Sequence, residues 1–186
     1  GVGGSPLMSI SLGEKNRIQA RKILANCFLM LCVFSVLLMA VIFPLKEPML
    51  RLFGASETIL PYADEYFTYY MAGTFFALMS TGLNQFIVCQ GYAKIGMQAV
   101  LLGAILNIIL DPIFIFVLEM GVRGAAIATV LSQVISSFFE FRFLLKGEIP
   151  VHITFRGYKP AIMRKVLPVG ITPFLIIAID NVMIIL

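Results

Sequence analysis

Five apolar runs, each close to the twenty or so residues needed to cross about 30 Å of hydrocarbon, leave this chain few ways to fold. They cover Ala25 to Phe43, Tyr66 to Gln90, Met97 to Leu118, Gly124 to Leu145, and a stretch opening near Leu167. Backbone lying in lipid must satisfy its N–H and C=O groups within the segment, so such runs imply helices. The expected architecture is all-α, a polytopic bundle of transmembrane helices. Composition agrees: 60% of the residues are hydrophobic and 13% charged, against about 25% charged in soluble domains, and the mean hydropathy is +0.97.

Charge sets an orientation. If the connections between runs alternate in side, the basic segments 13–24, 91–96 and 142–166 hold eleven of the fourteen Lys and Arg. The other side keeps Lys46, Arg51 and Arg123, and its connector after Pro44 also carries Glu47, Glu57, Asp64 and Glu65. Excess Lys and Arg mark cytoplasmic loops, so those three segments are expected inside a multi-pass protein of the plasma membrane. A pI near 9.1 therefore does not imply nucleic acid, and no basic patch with interleaved aromatics supports it. Cys27, Cys32 and Cys89 fall in apolar stretches at no metal or redox spacing and read as small buried hydrophobes. His152, the lone histidine, reads as a solvated loop residue. No signal-peptide pattern opens the chain. The opening stretch GVGGSPLMSISLGEKNRIQARK reads as the tail of an earlier helix followed by the basic loop, and the fifth run stops uncapped at Leu186, so a fragment of a longer protein is expected.

Within this apolar background, Asp111 and Asp180 are two acids set well inside runs. A carboxylate at bilayer depth costs about 2.5 to 3.5 kcal/mol on insertion scales and is a functional candidate for that reason. Asn107 lies four residues before Asp111 and Gly103 a turn earlier, which puts all three on one helical face. Pro112 follows; lacking an N–H, it withholds a donor from the Ile108 carbonyl and is expected to kink the helix. A turn centred on Met120 would set Asp111 level with Thr129, and Asn107 level with Gln133, on an antiparallel return helix. Asn84 falls near the same depth on the neighbouring run, either as part of the cluster or as a bridge between helices. Asp, Asn and Thr oxygens suit a small hard cation such as Na+, or a shared proton. Asp180 and Asn181 are a further candidate contact for ion or substrate.

The run NIILDPIFIFVLEMGVRGAAIATVLSQ, preceded by GYAKIGM and by SPLMSISLGEKN, resembles the multidrug and toxic compound extrusion (MATE) family of cation-coupled efflux transporters. The resemblance implies two six-helix lobes in the intact protein. Residues 1–146 would be the amino-terminal lobe from the end of helix 2 through helix 6, 147–166 a cytoplasmic linker, and 167–186 the start of the carboxy-terminal lobe. It further implies that Asn107, Asp111 and Thr129, with Asn84, bind the coupling H+ or Na+, with no other cofactor. The partners implied are amphipathic or cationic organic compounds, the bilayer, and helices of the same protein absent from this sequence.

The function expected is secondary active efflux, with no catalytic residues. One alternative keeps the fold and changes the cargo to lipid-linked or other metabolites. An intramembrane aspartyl protease using Asp111 and Asp180 is disfavoured, since neither acid has the YD or GxGD context of such enzymes. A scaffolding membrane protein is a further alternative, marked by indifference to cations.

Overall fold

The structure is a computed structural model that describes residues 2–52, 54, 56–146 and 148–185, without the side chains of 177, 178, 181, 182, 184 and 185. The expected all-α architecture is what it shows. Six α-helices follow in order: α1 (Gly4–Gly13), α2 (Arg17–Leu52), α3 (Leu60–Val88), α4 (Ala93–Pro112), α5 (Val122–Lys146) and α6 (Pro160–Ile185). A π-helical segment, Ile113–Val117, extends α4. Among the described residues four helices, the π segment counted with α4, are long and apolar enough to cross a membrane. The most apolar window of α4 is not buried inside the protein at all, and Phe116 and Val117 are about three-quarters exposed. Such a surface is stable against lipid or further protein, not against water.

Two helices run past their expected limits. The Asn16 side chain accepts the Gln19 N–H at 3.0 Å and caps α2, which passes through Pro44 and Pro48 to Leu52. Pro44 does not end the span as expected. The residues after it are mostly good helix formers, and Arg51 pairs with Glu47 one turn back at 3.2 Å. Phe53, the residue after α2, lies outside the described residues. α6 opens at Pro160 rather than near Leu167, with proline at the first helical position, where its missing N–H costs nothing.

The chain divides into two compact units. The first comprises 1–31, 81–96 and 141–186. Its core gathers Met8, Leu24, Leu83, Phe86, Ile87 and Leu144, all at most 1% exposed. Gly4 lies so close to the Cys27 sulfur and the Phe86 ring that no side chain fits there. The second unit comprises 32–80 and 97–140. Here helices meet through small and hydroxyl residues, the usual means of close packing in lipid. Ser136 donates to the Ala99 carbonyl at 2.9 Å and lies 3.3 Å from Ser80, while Gly73 packs on Val130.

The connection before α6 is not a loose loop. Ile149, Val151 and Ile153 alternate into the core of the first unit, at 7, 2 and 4% exposure. Polar groups fasten the same strap. Gln90 Oε1 accepts the Val151 N–H at 3.0 Å, the Tyr92 hydroxyl donates to the Glu148 carbonyl, and the Ile153 N–H donates to the Leu144 carbonyl at 3.1 Å. Asn26, fully buried on α2, donates to the carbonyls of Lys22 and Gly157 at 2.7 and 3.3 Å and accepts the Lys159 N–H at 2.9 Å. His152 is half-buried in this strap and has a partner in the protein, so the solvated histidine expected from the sequence is corrected.

Candidate functional site

Both arms of the expected hairpin are present in the second unit. Gly103 faces Ser136, and Gly124 lies against the Phe114 backbone, which centres the pairing near Glu119. The turn takes Glu119 and Gly121 into the left-handed region, at φ +51° and +57°. Pro112 itself keeps helical angles, φ −63° and ψ −31°. The disturbance it causes falls in the next turn, where the Leu118 N–H reaches back five residues to the Ile113 carbonyl at 2.9 Å and the Met120 N–H reaches Phe114 at 3.1 Å. The expected kink is thus a widening of the hydrogen-bond register.

On these arms Asn107 is the centre of the polar cluster. Its Nδ2 donates to Asp111 Oδ1 at 3.2 Å and to Thr129 Oγ1 at 3.3 Å. Thr129 spends its own proton on the Ala125 carbonyl, 3.0 Å away, so its oxygen is left to accept. The amide orientation follows from the chemistry: a carboxyl oxygen and a committed hydroxyl both call for a donor. The Thr129 hydroxyl thus meets Asn107 and makes no bond to Asp111 itself, in a pairing whose centre lies within about a residue of the expected one. Asp111 is half-buried, and its second oxygen makes no hydrogen bond among the described residues.

The remaining candidates are held elsewhere. Gln133 is half-buried on α5 and forms no hydrogen bond among the described residues. Asn84 belongs to the first unit, where its Nδ2 donates to the Gly96 carbonyl at 2.8 Å and bridges α3 to α4. Asp180 is exposed on α6, and the Asn181 side chain lies outside the described residues. No group of three His, Cys, Asp or Glu that could hold a metal occurs among the described residues. A cation at Asp111 would thus draw on amide and hydroxyl oxygens.

Glu140 is the acid that the sequence reading passed over. It is completely buried on α5 in the second unit and engaged by the surrounding protein. Its flanking residues, Ser137 to Phe143, look like an interfacial helix end, and only the packing reveals the burial.

Charge is segregated between the units. The first holds eleven of the fourteen Lys and Arg, none in an ion pair among the described residues. Each of the three cations of the second unit is paired: Lys46 with Asp64 at 2.9 Å, Arg51 with Glu47 and Glu57, and Arg123 with Glu65.

Lipid-length helices with uncovered apolar faces, joined through small residues around an Asp–Asn–Thr cluster, define a multi-pass helical membrane protein. The chain belongs to the MatE family, whose model matches residues 1–113, and so to a family of transporters rather than enzymes. It is 28% identical over 184 residues to the multidrug export protein MepA of Staphylococcus haemolyticus, covering 98% of this chain and 41% of that protein. The MepA of Staphylococcus saprophyticus is 29% identical over 178 residues, covering 94% and 39%. A multidrug resistance MATE family transporter of the MOP superfamily, solved facing inward, superposes with a TM-score of 0.86 at 32% identity over 91% of this chain and 39% of that one. A MOP superfamily transporter from Pyrococcus furiosus, described as having a binding pocket of reversed polarity, gives 0.85 at 32% identity over 91% and 38%. The chain thus spans about two-fifths of the length of these relatives.

Proposed function

We propose that the protein containing this chain is a secondary active multidrug exporter of the plasma membrane, exchanging amphipathic or cationic organic compounds for H+ or Na+. The MepA relatives are multidrug export proteins, which supports the cargo. The observation that carries the coupling role is the Asn107 amide bridging Asp111 and Thr129. A proton can enter this arrangement by neutralising Asp111, with Asn107 still able to donate. Sodium requires more, because the amide now presents its NH2 to both oxygens. Turning Asn107 over would place its carbonyl oxygen beside those of Asp111 and Thr129 and make a three-oxygen set. Protonation weakens the bond from Asn107 to Asp111 and the amide flip changes the cross-helix bond to Thr129, so either event gives the helix pair, next to the π-helical register, two states for alternating access. The eleven cations of segments 13–24, 91–96 and 142–166 support a cytoplasmic placement of those segments.

Efflux of a fluorescent organic cation by the full-length protein tests this. Asp111→Asn is expected to abolish dependence on the proton or sodium gradient. Wild-type rates with unchanged dependence would remove Asp111 from the mechanism. A second reading, export of another cargo on the same fold, draws on the Pyrococcus furiosus relative, for which a different function is suggested. Competition by lipid-linked or anionic metabolites, without competition by drugs, would favour it.

A further inference from the structure

We infer that the first unit carries a binding site for an anionic phospholipid at the foot of α2. Two adjoining cavities of about 500 and 640 Å³ run between the start of α2, the end of α5 and the strap, sharing Ile18, Arg21, Leu145 and Ile153. Arg17, Arg21, Lys22 and Arg156 line them. None of these four forms an ion pair among the described residues, and the three acids of the unit, Glu14, Glu148 and Asp180, line neither cavity. The groove is basic without an internal counter-charge. It is also apolar along one wall, where Ile18 is 71% and Leu145 36% exposed. Guanidinium groups beside an aliphatic wall fit a phosphate joined to an acyl chain, not a free inorganic ion.

Depth gives the same answer. The apolar run of α2 begins at Ala25, and Arg17, Arg21 and Lys22 precede it by eight, four and three residues. At 1.5 Å per residue that places Arg21 and Lys22 within about 6 Å of the hydrocarbon edge, in a headgroup layer roughly 5 to 8 Å thick, with Arg17 one turn further out. A lipid seated here would join the first turns of α2 to the strap through Arg156.

The test uses the intact transporter, delipidated in detergent, titrated with phosphatidylglycerol, with phosphatidylcholine of the same chains, and with inorganic phosphate. Melting temperature and native mass spectrometry report binding. Phosphatidylglycerol alone is expected to bind and stabilise, and Arg17→Gln/Arg21→Gln/Arg156→Gln to weaken its binding about tenfold or more. Lys94→Gln/Arg164→Gln, exposed cations outside the groove, should leave it unchanged. Arg156→Gln alone, expected to weaken binding by a smaller factor, serves if the triple variant does not fold. Equal response to the two lipids, an equal response to phosphate, or loss in the control pair would overturn the proposal. So would a triple variant destabilised to the same extent without lipid, the mark of an acidic protein segment in the groove.

Discussion

Asn26 and Lys159 are 133 positions apart and share one hydrogen bond, from the Lys159 N–H to Asn26 Oδ1 at 2.9 Å. With the 3.3 Å bond from Asn26 to the Gly157 carbonyl, it fastens the strap just before α6 begins. Asn26→Leu keeps the volume and leaves a part-buried N–H and C=O without their partner, at an expected cost of about 1 kcal/mol. Trypsin cleavage after Arg156 should accelerate in step with the lowered melting temperature. Unchanged cleavage would show that Ile149, Val151 and Ile153 hold the strap unaided.

In the cluster, the amide should matter more than the hydroxyl, because Asn107 makes two bonds there and Thr129 accepts one. Thr129→Val removes a single acceptor, which at about 0.5 to 1.5 kcal/mol lowers apparent affinity for the coupling ion roughly two- to tenfold. Asn107→Leu should lower it further. Transport titrations over proton or sodium concentration measure both, and a Thr129→Val defect as complete as that of Asp111→Asn would overturn the ranking.

A one-sided glycine contact joins α6 to the residue preceding α1. A side chain on Gly3 would lie 2.8 Å from Gly170 Cα and from the Val166 carbonyl, whereas one on Gly170 would meet Gly3 at an ordinary 3.6 Å. Gly3→Ala is expected to destabilise by about 1 to 3 kcal/mol. Gly170→Ala, inside a helix, should be neutral or gain up to about 1 kcal/mol. Thermal melts of the two variants that moved together would contradict this geometry.

Gly124 has no such latitude, since a Cβ there would approach the Phe114 carbonyl oxygen to 2.6 Å. Gly124→Ala must push α5 off the π-helical segment that follows Pro112, so a lower melting temperature is expected, together with an altered response to the coupling ion. A fall in stability with the ion response intact would separate hairpin packing from ion binding.

How much of this could be read from sequence depended on whether the signal was periodic or contextual. The hairpin was legible because Asn107, Asp111, Gly121 and Thr129 sit at fixed helical spacings. Its register falls within about a residue of the projected one, and what the 3.6-residue projection left out is the widened hydrogen bonding that follows Pro112. Pro44 looked like a stop, but proline removes one donor and helix-forming neighbours carry α2 onward. The strap was missed because its alternation of Ile149, Val151 and Ile153 spans three short steps between Glu148 and Arg156. Glu140 went unnoticed because the aromatics around it look like an interfacial belt, and burial there is decided by packing from other helices.

Loose, the residues from 147 to 159 could stretch about 45 Å, and whatever α6 carries could wander over that radius. Fixed at Lys159, they leave almost no slack. The first turn of α6 has a set pivot beside the base of α2, so a push on α6 is delivered there as torque instead of being taken up by idle chain.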